Sequence, residues 1–211
     1  MSSINVKTNT DSRLKYNSFT KSGSEFKGWT TNSDGSGTRY GDGEVININK
    51  NITLYALWNN TKYNVRFDAN GGTGSMDIQE FEHTISGVLN ENKFSRVGYT
   101  FKGWNTKKDG SGASYTDKQS VLDLTQNVET ITLYAMWEAN TYTVIFNSNG
   151  GEGEMNSQSF KYDEEKALSA NIYTKEGFIF GGWNTSSDFS GTDYSDKQVV
   201  KKLTTGTTVR L

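Results

Sequence analysis

The chain copies itself, and that copying limits its possible folds more than any composition figure. Tyr63 to Thr125 aligns without a gap on Tyr142 to Thr204, an offset of 79 residues, and 28 of the 63 paired positions are identical. Phe26-Lys27-Gly28-Trp29 is a further copy, 75 residues before Phe101-Lys102-Gly103-Trp104. Repetition at a fixed period marks an array of similar small units. Such an array points first to spacing, display or multivalent binding rather than to one catalytic pocket.

The copies also set boundaries. Ile52-Thr53-Leu54-Tyr55-Ala56-Leu57-Trp58 closes the first and Ile131-Thr132-Leu133-Tyr134-Ala135-Met136-Trp137 the second. The third reaches Val209-Arg210-Leu211, just before the expected Tyr-Ala-x-Trp, and the first lacks a clear counterpart of Asp68-Ala69-Asn70-Gly71-Gly72. The reading is an incomplete unit at 1–58, a complete unit at 63–137 and a unit at 142–211 truncated at its C-terminus. Connectors such as Asn59-Asn60-Thr61-Lys62 and Glu138-Ala139-Asn140-Thr141 are short, so the array is expected to be semi-rigid.

Within a unit, Tyr63, Val65 and Phe67 alternate with polar residues, the period of a half-buried strand. Asn70-Gly71-Gly72 then reads as a turn, and Ile78 to Glu82 as a returning antiparallel partner. Tyr99 to Trp104 and Thr130 to Trp137 read as two further strands, separated by the polar turn Asn105 to Gly112. Thr116-Asp117-Lys118-Gln119 and its copy Ser195-Asp196-Lys197-Gln198 resemble capping boxes. They predict a short helix burying Val121 and Leu124, or Val200 and Leu203. The expected fold is α+β and mostly β, each unit a mixed sheet with one short helix.

These motifs carry a family resemblance. Phe67-Asp68-Ala69-Asn70-Gly71-Gly72, then Gly98-Tyr99-Thr100-Phe101-Lys102-Gly103-Trp104, then Thr132-Leu133-Tyr134-Ala135-Met136-Trp137 resemble the Listeria–Bacteroides repeat, the B-repeat type of internalin-like bacterial surface proteins. The resemblance implies β-grasp-like units on a secreted or wall-attached bacterial protein, and it brings no catalytic residues with it. The chain departs from the family in Lys93 to Val97, where a proline is common; proline is absent altogether.

Composition narrows the chemistry. A net charge of −2 gives no general attraction to nucleic acid or anionic membrane, and no apolar run is long enough to span a bilayer. Met1-Ser2-Ser3-Ile4-Asn5 has no secretory pattern, although a chain that starts mid-unit says little about its parent. Cysteine is absent, which removes disulfides and thiolate metal sites. His83 is the one histidine, with Tyr162 at its place in the third copy, so no recurring Ser–His pair exists. The glycine turn lacks the following helix of a phosphate loop. Asp109 to Asp117 has calcium-like oxygens without the ligand pattern, and reads as a turn.

All five tryptophans, Trp29, Trp58, Trp104, Trp137 and Trp183, lie in recurring motifs and read as structural rather than as ligand platforms. Tyr40, Tyr115 and Tyr194 recur after the polar turn and are the candidate contacts for a glycan or protein. The expectation is a non-enzymatic repeat segment of a bacterial cell-surface or secreted protein, a stalk with weak multivalent adhesion. Its expected partners are a host or cell-surface glycan or protein, with no cofactor or metal, no nucleic acid and no membrane insertion. The alternative is an array of carbohydrate-binding modules attached to a secreted hydrolase.

Overall fold

The computed structural model describes Ile4, Asn5 and residues 7–211; positions 1–3 and 6, on which parts of the N-terminal reading and of the 1–58 unit rest, lie outside the described residues. Repeat one contributes β1 (Ser12–Arg13), β2 (Ser24–Thr30), β3 (Arg39–Tyr40), β4 (Val45–Ile46) and β5 (Tyr55–Asn60). Repeat two contributes β6 (Lys62–Asp68), β7 (Gln79–Glu82), β8 (Gly87–Val88), β9 (Tyr99–Asn105), β10 (Ser114–Tyr115), β11 (Ser120–Val121) and β12 (Thr130–Ala139). Repeat three contributes β13 (Thr141–Ile145), β14 (Gln158–Lys161), β15 (Lys166–Ala167), β16 (Trp183–Asn184), β17 (Asp193–Tyr194), β18 (Val199–Val200) and β19 (Thr208–Arg210).

The architecture is all-β, which corrects the α+β expectation: no helix occurs among the described residues. At the would-be helix start, Lys118 and Lys197 both sit at φ 56°, and Asp123 and Lys202 are also left-handed. A right-handed helix cannot pass through two such residues in one turn and a half. One capping-box bond does form, from the Ser195 amide to Gln198 Oε1 at 2.8 Å, but the other groups bond to distant backbone. The Asp117 and Asp196 carboxylates accept the Asn92 and Asn171 amides rather than capping their own chain. The Gln119 and Gln198 carbonyls accept the Leu89 and Leu168 amides. Val121 and Val200 are buried as expected, but in the two-residue ladders β8–β11 and β15–β18. With the helix goes the β-grasp-like unit that depended on it.

The strands follow the sequence pattern. In β6 the buried residues are Tyr63, Val65 and Phe67, and β7 returns antiparallel with Tyr63 opposite Phe81. Those two rings stack at 5.4 Å, as do Tyr142 and Phe160 in repeat three. The sheet of repeat two has the order β10-β9-β12-β6-β7. Repeat one supplies β3-β2-β5, and repeat three β14-β13-β19 and β16-β17. The β13–β19 pair is parallel.

By contact density the chain falls into two compact units. One joins Met1–Phe67, Met76–Asn92 and Asp117–Leu133; the other joins Asp68–Ser75, Lys93–Thr116 and Tyr134–Leu211. The first holds the repeat-one core of Leu14, Trp29 and Ile46. The second holds the repeat-three core, including Tyr142, Val144, Phe146, Phe160, Leu168 and Trp183.

A bulge recurs beside Trp29 and Trp104. The β9–β12 register shifts between Met136 and Trp137, next to Gly103 at φ 131°. A Cβ on Gly103 would stand 2.5 Å from the Tyr115 carbonyl oxygen. Only glycine lets β9 pass this close to β10, which turns Trp104 inward.

Candidate functional site

Two places in each repeat carry side chains the sequence singled out, the polar turn and the tyrosine after it; the two joints between repeats form a third set of contacts. The turn Asn105–Gly112 is organised by one buried amide. Asn105 Nδ2 donates to the Gly110 and Gly112 carbonyls at 3.1 Å and to Ser114 Oγ at 2.9 Å. Its Oδ1 accepts the Lys107 and Gly112 amides. Asp109 Oδ1 accepts the Ser111 amide and hydroxyl. The two carboxylates of the calcium-like segment thus serve separate backbone positions, Asp117 facing Asn92.

The turn carboxylates are held in their charged form. Backbone and hydroxyl hydrogen bonds from Ser111 lower the Asp109 pKa, and the Ser36 hydroxyl and amide do the same for Asp34. Asp188 goes furthest, from 3.8 to about 2, through the Ser186 hydroxyl first and then the Ser190 hydroxyl and amide. A pKa lowered by folding gives stability that is complete above the unfolded value and lost as pH falls through the folded one. Asp188 should therefore stay ionised until about pH 2. A carboxyl NMR titration with a midpoint near 4 would contradict this, and Asp188→Asn should flatten the loss of stability on acidification below that pH.

Tyr40, Tyr115 and Tyr194 are each half-buried, and each lies opposite its repeat's buried tryptophan: Trp29, Trp104 and Trp183. Tyr40 packs on the repeat-one core and Tyr194 on that of repeat three. Trp29, Trp104 and Trp183 are buried. Trp58 and Trp137 are half-buried over Phe26 and Phe101, and Trp137 Nε1 donates to the Ala69 carbonyl at 2.9 Å.

The sequence marked the connectors as short, but not the contacts that close them. One residue links consecutive repeats: Thr61 between β5 and β6, Asn140 between β12 and β13. The Thr61 amide donates to the Gly23 carbonyl and its carbonyl accepts the His83 amide. Asn140 bonds in the same way to Gly98 and Tyr162. At both joints the ring of the later repeat covers a glycine of the earlier one. A Cβ on Gly23 would stand 2.6 Å from His83 Cβ, and one on Gly98 would overlap the Tyr162 ring.

Around this shared frame the polar groups differ. At the first joint His83 Nδ1 lies 3.2 Å from Asp123 Oδ1, which also accepts the Thr84 amide. At the second the Tyr99 hydroxyl donates to Asp163, which pairs with Lys202 at 2.8 Å. That hydrogen bond raises the Tyr99 pKa; Lys202 and then Tyr99 lower that of Asp163. The signal was present in the alignment, which places glycine at 23, 98 and 177 and a ring at 83 and 162.

The repeated motifs, the repeated core and the repeated joint agree with a comparison of families. The profile of the Listeria-Bacteroides repeat domain matches residues 2–57, 63–136 and 142–209. The chain belongs to this family. A "Putative Gly-rich membrane protein" of Evansella cellulosilytica is 37% identical over 176 residues, which cover 77% of this chain and 19% of that protein. A "Putative membrane protein" of the same organism is 31% identical over 183 residues, covering 82% of this chain and 25% of the relative. Internalin H of Listeria monocytogenes is 34% identical over 94 residues, 42% of this chain and 15% of its own length. The chain thus spans a quarter or less of each relative. No solved structure matches it at a significant level.

Proposed function

We propose that this Listeria–Bacteroides repeat segment is a non-enzymatic, semi-rigid spacer of a bacterial cell-surface or secreted protein, and that it adds a weak multivalent adhesion surface. The observation that carries the reading is the joint. A single linking residue hydrogen-bonded to both neighbouring repeats, beside a glycine covered by the later repeat's ring, leaves little room for a hinge. Fixed spacing is what a stalk needs. The names of the relatives, two membrane proteins and an internalin, support a surface location.

The burial of Trp29, Trp104 and Trp183 weighs against an array of aromatic carbohydrate platforms. The half-buried Tyr40, Tyr115 and Tyr194 are one candidate contact per repeat for a host glycan or protein. A single half-buried ring binds weakly, and multiplicity compensates. Beads coated with the chain should hold mucin or host cells about 10²-fold more strongly than the soluble chain does. The triple Tyr→Ala variant at these positions should lose that gain. Equal binding by beads and soluble chain would remove adhesion and leave the spacer.

A further inference from the structure

Each joint connects the closing strand of one repeat to the opening strand of the next. Thr61 passes the chain from β5 to β6, and Asn140 passes it from β12 to β13. A pull along the array therefore enters repeat two at the start of β6 and leaves it at the end of β12. The joint residue is all that lies between one strand and the next, so the load path holds no slack.

The strands at the two ends of this path, β6 and β12, are neighbours in the sheet. Their contacts advance together along the chain. The Asn64 amide donates to the Glu129 carbonyl at 2.9 Å, and further along both strands Arg66 Nη2 donates to Thr132 Oγ1 at 3.3 Å. The two strands thus run parallel. Repeat three has the same arrangement: the Thr143 amide donates to the Thr207 carbonyl, and the parallel ladder β13–β19 sets Thr143 opposite Thr208, Val144 opposite Val209 and Ile145 opposite Arg210. Val65, Leu133 and Val144 are fully buried, so one face of each ladder is closed to water, which strengthens its backbone bonds.

We propose that the β6–β12 pair is a mechanical clamp, and that the repeat holds tension applied between its two ends. In a parallel pair the start of one strand and the end of the other lie at opposite ends of the ladder. A pull between those points slides the strands along each other and loads all the ladder bonds together. A pull applied at one end of the ladder opens the same bonds one after another. The joints deliver the first kind of load. Resistance to force is set by the rate of unfolding rather than by equilibrium stability, so a small unit with a thin core can still hold. The clamp rests on the spacer reading only for the origin of the load, since a spacer tied at one end and bound at the other is pulled from both.

The chain has no cysteine, so introduced cysteines give unique handles for single-molecule pulling of the full chain. One variant carries Lys62→Cys and Glu138→Cys, at opposite ends of the clamp. The other carries Lys62→Cys and Glu129→Cys, at the same end. All three side chains are exposed, and thermal melting of both variants controls for any stability lost with them. At one loading rate the first variant should unfold repeat two at a several-fold higher force than the second. Equal forces, or a higher force for the second variant, would overturn the clamp. Failure of the spacer reading would show separately, as a broad range of distances between probes on repeats one and three in the chain without load.

Discussion

Trp104→Ala should cost repeat two about 3–5 kcal/mol, the range for deleting a large buried ring from a packed core. Trp104 is fully buried, with Phe101 at 4.9 Å and Phe94 at 6.1 Å, both edge-on. A small unit holds only several kcal/mol in total, so this one change should unfold a visible fraction of repeat two at room temperature. The natural comparison is Trp137→Phe. That side chain is half-buried, and the change keeps a ring over Phe101 while losing the indole bond to Ala69, a cost of about 1 kcal/mol. Denaturant unfolding followed by NMR peaks from each repeat separates the two. A loss below about 1 kcal/mol for Trp104→Ala would show that the ring does not hold the core.

The second large effect is at the joint. Gly98→Ala places a side chain on a left-handed residue, φ 77°, and drives it into the Tyr162 ring. The backbone term alone is about 1–2 kcal/mol, and displacing the ring should bring the total to about 2–4 kcal/mol. Gly177→Ala provides the control. Its φ of 74° is nearly the same, but no atom lies within 4 Å of the new Cβ, so it bears only the backbone cost. The difference between the two variants measures how strongly repeats two and three stabilise each other. Gly98→Ala should also split their unfolding into separate transitions, as loss of a neighbour interface does in a linear array. Equal costs for the two variants would mean that the joint transmits nothing.

Much of this was legible in the residues. Alternation located the buried faces of β6 and β12, because a half-covered sheet imposes period two on Tyr63, Val65 and Phe67 and on Leu133 and Ala135. Recurrence marked Trp29, Trp104 and Trp183 as core. The helix was misread for a definite reason. Thr116 to Gln119 has the composition of a capping box, but composition cannot show that Lys118 and Asp123 are left-handed. Nor can it show that Leu89, thirty residues earlier, competes for the Gln119 carbonyl. Long-range backbone bonds outweighed a weak local preference. The ring-on-glycine contacts at the joints were hidden for a similar reason. A glycine at 98 and a tyrosine at 162 are unremarkable apart, and only the fold makes the absent side chain of one the seat of the other.

That seat limits how such a chain can change length. Adding or deleting one residue at Thr61 or Asn140 would turn every side chain of the next strand to the opposite face, because strands alternate with period two. It would also carry His83 or Tyr162 away from its glycine. Single-residue slippage is therefore closed to this chain, while gain or loss of a whole repeat leaves every remaining joint intact. Descendants of this chain should differ in length by whole repeats, so the distance spanned would change in fixed steps.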